Sequence, residues 1–127
     1  MKKNKSFSWF ARVRSFGYAI SGIKTFIKEE HNALLHLAAT VFVIILGFVF
    51  SVSTIEAALL ALTIGFVWIA ELFNTAIEKI MDFISEKQQT EIKNIKDISA
   101  AAVLVAAITA FITGCIVFIP KLLKWLF

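Results

Sequence analysis

Glu71, Asn74, Glu78 and Asp82 stand at offsets of three, seven and eleven in the stretch ELFNTAIEKIMD, residues 71 to 82. At about 100° per residue, a helix gathers all four into one sector of its surface. Phe73, Ile77, Ile80 and Ile84 mark other faces, so the stripe is a column of oxygen ligands on a greasy helix. Carboxylates in a column can hold a divalent cation, and magnesium prefers one or two of them together with phosphate oxygens. A carboxylate in low dielectric also gains the basicity needed to take a proton from a hydroxyl. An ionised group at membrane depth costs about 2.5–3.5 kcal/mol, which argues that it is used. The column alone fits three chemistries: a cation-assisted enzyme, an ion pathway or a proton relay. Asp82 reads equally well as a headgroup-zone carboxylate beside Lys79.

Two further clusters belong with the column. Lys96-Asp97 precedes a long apolar run, and Glu29-Glu30 precedes another. A lysine neutralises phosphates, and acids from separate helices can share a metal. The plainer account of Asp97 is a helix-start residue favoured by the N-terminal dipole. GYAISGIKT, residues 17 to 25, imitates a phosphate-binding loop, but Ile23 intrudes before Lys24 and no strand precedes it. No G-x-G-x-x-G, H-R-D or D-F-G occurs, which excludes a soluble kinase fold.

The elements that position these groups follow from composition. The 127 residues are 59% hydrophobic and 17% charged; soluble domains carry roughly 25% charged residues. A soluble core of this length cannot hide so much apolar surface. The sequence predicts one all-α integral membrane domain over residues 1–127, since backbone groups in hydrocarbon must bond internally. Three spans are predicted: 32–51, 55–84 and 95–119. Pro120 is expected to close the last, and 85–94 to form an aqueous loop. Residues 7–28 repeat Phe10, Val13, Phe16, Ile20, Ile23 and Ile27 at helical spacing, with Arg12, Arg14, Lys24 and Lys28 between them. That pattern predicts an amphipathic helix on the membrane surface; a solvated helix packed on the spans is the alternative. Seven basic residues precede the first span and none lies in the 51–54 turn. The positive-inside rule then places the N-terminus and the 85–94 loop in the cytoplasm. Charges interrupt everything before Ala33, so no cleaved signal is expected. The lone Cys115 reads as a small buried hydrophobe. The net charge of +4 reflects basic flanks rather than nucleic-acid binding.

ELFNTAIEKIMD resembles the signature of the prokaryotic diacylglycerol kinase family, E-x-x-N-[ST]-[SA]-[IV]-E-x-x-[VIM]-D. KDISAAAVL, residues 96 to 104, resembles that family's next block, and the likeness covers nearly the whole chain. The resemblance implies a small membrane kinase of the bacterial inner membrane that moves the γ-phosphate of ATP to a lipid hydroxyl. It implies a homotrimer whose active sites are shared between neighbours. It also implies Glu71 as catalytic base and Glu30 and Glu78 as magnesium ligands. Tyr18, Asn74, Lys96 and Asp97 fall at the nucleotide, with Ser85, Glu86 and Lys87 in the loop that reaches it. Ala11 departs from a basic position of the family's first helix, and Arg12 beside it takes that place.

EHNALLH, from Glu30 to His36, is similar to the E-[RH]-N-x-x-x-H of the undecaprenol-phosphorylating branch, and FIPKLL to that branch's ending. The diacylglycerol branch carries Gly-Ser where this chain has Ser99-Ala100. Asn32, His36 and Ala100 join Glu71 on the substrate side by this resemblance. Undecaprenol is the first expectation and diacylglycerol the second. A lone histidine in a span is otherwise a helix-packing hydrogen bonder. The rival from another class is a small oligomeric cation or proton pathway built on the same acids.

Overall fold

A computed structural model describes residues 8–85, 87 and 89–127. Its order is α1 (Trp9–Glu29), α2 (His31–Val49), α3 (Thr54–Ile84) and α4 (Thr90–Leu126). The last three are long and apolar enough to cross a membrane. This is a multi-pass, all-α membrane protein. At ~1.5 Å per residue, α3 and α4 run for roughly 46 and 55 Å, beyond a hydrocarbon core of about 30 Å.

The joints are short and chemically specified. Ser8 caps α1 by accepting from the Ala11 amide. Glu30 alone separates α1 from α2; its extended backbone (φ −104°, ψ 118°) ends one helix and starts the next. Between α2 and α3, Ser51 takes the left-handed conformation (φ 48°) and the Val52 amide returns to the Gly47 carbonyl, 3.1 Å. Ser53 and Glu56 then form a reciprocal capping box at the start of α3. Ser53→Ala should lower thermal stability in detergent by about 1 kcal/mol, since the Glu56 amide loses the hydroxyl that accepts from it.

Two predicted boundaries move. The 85–94 loop shrinks because α4 starts at Thr90. Polar residues do not forbid helix, and Lys93–Asp97 supports the first turns as an i,i+4 ion pair, 2.8 Å. Asp97 therefore sits two turns inside α4, and its account as a helix-start residue is removed. Pro120 does not end the helix: α4 continues to Leu126. Proline removes one backbone donor, a loss that membrane helices tolerate. The continuation carries Lys121 into an ion pair with Glu56, 3.0 Å.

Packing is concentrated where the site lies. α3 and α4 form the closest helix pair, α2 lies against α3, and α1 meets the start of α2. Phe26 anchors the end of α1 edge-on against Trp68, with ring centroids 6.0 Å apart. Among the described residues the buried apolar side chains are Phe26, Ala33, Leu60, Val67 and Val117. They are nearly matched by four buried polar ones: Glu71, Asn74, Thr75 and Ser99. Most remaining apolar surface points outward, as a chain solvated by lipid requires.

Candidate active site

The column on α3 is real, and it meets a different neighbour at each turn. Glu71 is 3% exposed, and its Oε1 lies 2.6 Å from Nε2 of His36 on α2. One turn on, the Asn74 amide spans two partners. Its Nδ2 donates to Glu78 Oε1 at 3.1 Å, and its Oδ1 accepts from Ser99 Oγ of α4 at 2.7 Å. At the far end, Lys96 of α4 donates to Asp82. The stripe thus faces α2 at its deep end and α4 over the rest.

A second tie fixes the α2–α3 register. Trp68 Nε1 donates to Thr40 Oγ1 at 3.0 Å, and the Thr40 hydroxyl donates to the His36 carbonyl at 2.7 Å. Advancing four residues on α2 retreats three on α3, as antiparallel helices demand. Among the described residues, no buried side-chain nitrogen or oxygen lacks a partner. Ser99→Ala would strand the Asn74 carbonyl oxygen. We expect a loss of about 1–3 kcal/mol, read by thermal unfolding in detergent, from a buried acceptor left unsatisfied.

Two recesses flank the column. An apolar cleft of about 520 Å³ runs between α2, α3 and α4, with His36, Thr40 and Trp68 at one end and Leu46, Phe118 and Ile119 at the other. A polar recess of about 270 Å³ lies at the α3–α4 turn, lined by Asp82, Ser85, Lys87, Ile92, Lys93, Lys96 and Asp97. Eleven residues of α3, roughly 16 Å, separate Glu71 from Asp82. The helix therefore joins an apolar slot to a lysine-lined cup.

The other predicted residues are placed as follows. Glu30 sits at the α1–α2 joint, without a hydrogen bond to Glu71 or Glu78. Its neighbour Glu29 accepts from Lys79, the residue after Glu78. That pair ties the end of α1 to α3 one residue from each of Glu30 and Glu78. The Lys79 ammonium, by hydrogen bond and by charge, holds the Glu29 carboxyl below its usual range. Asn32 and Ala100 are exposed, and neither reaches the column by a hydrogen bond. Arg12 and Tyr18 lie on exposed α1; Tyr18 makes no hydrogen bond to the column. Ser85 ends α3 and accepts from the Lys87 amide, 3.1 Å. Asp97 pairs with Lys93 rather than with Lys96. Glu86 lies outside the described residues.

Sequence reasoning missed Ser99 and Lys93 as site residues. Ser99 follows Lys96 by three, so it shares the face of α4 that meets α3. Lys93 precedes Lys96 by three and repeats its chemistry, a signal hidden by assigning it to a loop.

Residues 17–118 match the family described as prokaryotic diacylglycerol kinase. The undecaprenol kinase of Bacillus subtilis (strain 168) is 40% identical over 109 residues, 86% of this chain and 89% of that relative. The diacylglycerol kinase of Synechocystis is 38% identical over 111 residues; the match covers 87% of this chain but 63% of that protein. The diacylglycerol kinase of Escherichia coli (strain K12) is 30% identical over 104 residues, 82% of this chain and 85% of that one. The matched span holds the whole Glu71–Asp82 column and its partners His36, Lys96 and Ser99, and the chain belongs to the prokaryotic diacylglycerol kinase family.

Proposed function

We propose that this chain transfers the γ-phosphate of ATP to a lipid alcohol, with undecaprenol as the preferred acceptor and diacylglycerol next. The observation that carries this reading is the column itself. A buried carboxylate stands beside the polar end of an apolar cleft, and the same stripe ends at a lysine-lined recess. A lipid tail lies in the cleft with its hydroxyl toward His36 and Glu71. The triphosphate enters from the recess, where Lys96, Lys93 and Lys87 neutralise it.

Glu71 takes the hydroxyl proton as the oxygen attacks the γ-phosphorus. The bond to the β-bridging oxygen breaks and ADP leaves. Most of the acceleration comes from positioning and charge neutralisation. Asn74, pinned between Glu78 and Ser99, holds the column against α4 while the recess fills and empties.

Magnesium belongs to this reading as the companion of the triphosphate. Among the described residues, no three acidic, histidine or cysteine side chains converge. That suits a cation drawing most of its oxygens from phosphate and water. Glu78 and Glu30 would hold it; Glu78 has one oxygen on Asn74 and, among the described residues, the other makes no hydrogen bond. When bound, the metal supplies further neutralisation of phosphate charge.

A cytoplasmic N-terminus and α3–α4 turn, an interfacial α1 and a homotrimer complete the proposal. The exposed apolar residues of α1, Phe10, Val13, Phe16 and Ile20 among them, give that helix a face for lipid. Apolar surface along the spans leaves room for neighbouring copies.

The test offers purified protein undecaprenol and diacylglycerol side by side in mixed micelles, with labelled ATP and magnesium. Label in the undecaprenol product above that in the diacylglycerol product is the expected result. No label in either lipid, with ion flux through reconstituted vesicles, would overturn the kinase reading in favour of an ion pathway.

A further inference from the structure

Glu71 has two carboxylate oxygens, and they differ. Oε1 is held by His36 Nε2 at 2.6 Å. Oε2 makes no hydrogen bond among the described residues, and since no buried side-chain oxygen there is unpartnered, it keeps some accessible surface. His36 is itself held at its backbone, because its carbonyl accepts from Thr40, which in turn accepts from Trp68 of α3. Two hydrogen bonds one turn apart, Glu71 with His36 and Trp68 with Thr40, therefore tie α3 to α2 beside the imidazole. The imidazole also lines the polar end of the apolar cleft, whereas Glu71 stands behind it, its side chain 5% exposed against 23% for the histidine.

We propose that His36 is a positioning residue for the proton acceptor: Nε2–H donates to Glu71 Oε1 and turns Oε2 toward the lipid hydroxyl. The proposal deepens the kinase reading above and rests on it. A free carboxylate at the end of a three-carbon stem samples several rotamers, and a proton acceptor displaced by about 1 Å can lose some 100-fold in rate. A second-helix donor removes that freedom. The tautomer follows from the role: a proton acceptor starts ionised. An ionised carboxylate is acceptor-only, so in this role Nε2 carries the proton. No proton moves through the ring in this role: the alcohol proton ends on Glu71 Oε2, the alcohol oxygen bonds phosphorus, and ADP departs.

A purely structural hydrogen bond between α2 and α3 predicts something different, so the readouts are chosen to separate the two. His36→Leu should lower kcat roughly 10- to 100-fold while the KM for ATP stays near wild type. His36→Gln, which keeps an N–H donor, should restore most of the loss. His36→Ala should regain turnover when imidazole is added to the assay. Ser53→Ala, at the opposite end of α3, serves as the control that loses stability but keeps kcat. If His36→Leu melts like the Ser53 control and retains full kcat, the contact is structural only and the proposal falls. If His36→Gln is as slow as His36→Leu and imidazole does nothing, the donor role also falls. Wild-type protein that labels no lipid would instead bring down the kinase reading, and this proposal with it.

Discussion

Glu71→Gln is expected to lower kcat by about 10²–10⁴-fold while nucleotide binding stays near the wild-type value. The range is what a positioned general base supplies. The substitution is close to isosteric, and its carbonyl oxygen still accepts from His36 Nε2, so the α2–α3 contact survives. What disappears is the second oxygen's ability to hold a proton. Label transfer to extracted lipid and nucleotide affinity should be measured on the same preparation. Full turnover would remove Glu71 as the base; a loss of turnover matched by a loss of folding would show only that the buried site needs its partner.

Lys96→Met should raise the KM for ATP roughly 10- to 150-fold, the equivalent of losing one charge-assisted hydrogen bond of about 1.5–3 kcal/mol. In the structure the lysine is on Asp82, and that pair is exchangeable. The Asp82 side chain is 63% exposed and the Lys96 side chain 32% exposed. Exposed pairs of this kind contribute about 0–1 kcal/mol. A triphosphate can therefore take the lysine from Asp82 at little cost. The same exposure means that Met at this position leaves no buried charge stranded, so stability should hardly change. Nucleotide titration and thermal unfolding together separate the two effects; a large loss of stability with unchanged KM would place Lys96 in the fold rather than at the phosphates.

The parts of the site that sequence made legible are those set by one helix. The spacing of Glu71, Asn74, Glu78 and Asp82 needs only 3.6 residues per turn, and α3 carries them on one face as that period requires. The partners were far less legible. Lys96 and Asp97 are adjacent in sequence, but they face different directions on α4, and each pairs elsewhere. Ser99 carried no signal beyond its spacing from Lys96, although its hydroxyl ties Asn74 to α4. Neither local polarity nor a proline sets a helix end here. Residues 90–94 are polar and helical, and Pro120 lies within a helix that continues past it.

The sequence by itself determined that the chain is a set of apolar helices bearing an acidic stripe, because both hydropathy and helical period are local properties. Only the tertiary structure decided what each group of the stripe touches: His36 at Glu71, Ser99 at Asn74 and Lys96 at Asp82. Those choices depend on the register and rotation of one helix against another. Side-chain packing across the helix faces sets that register, and no single segment encodes it.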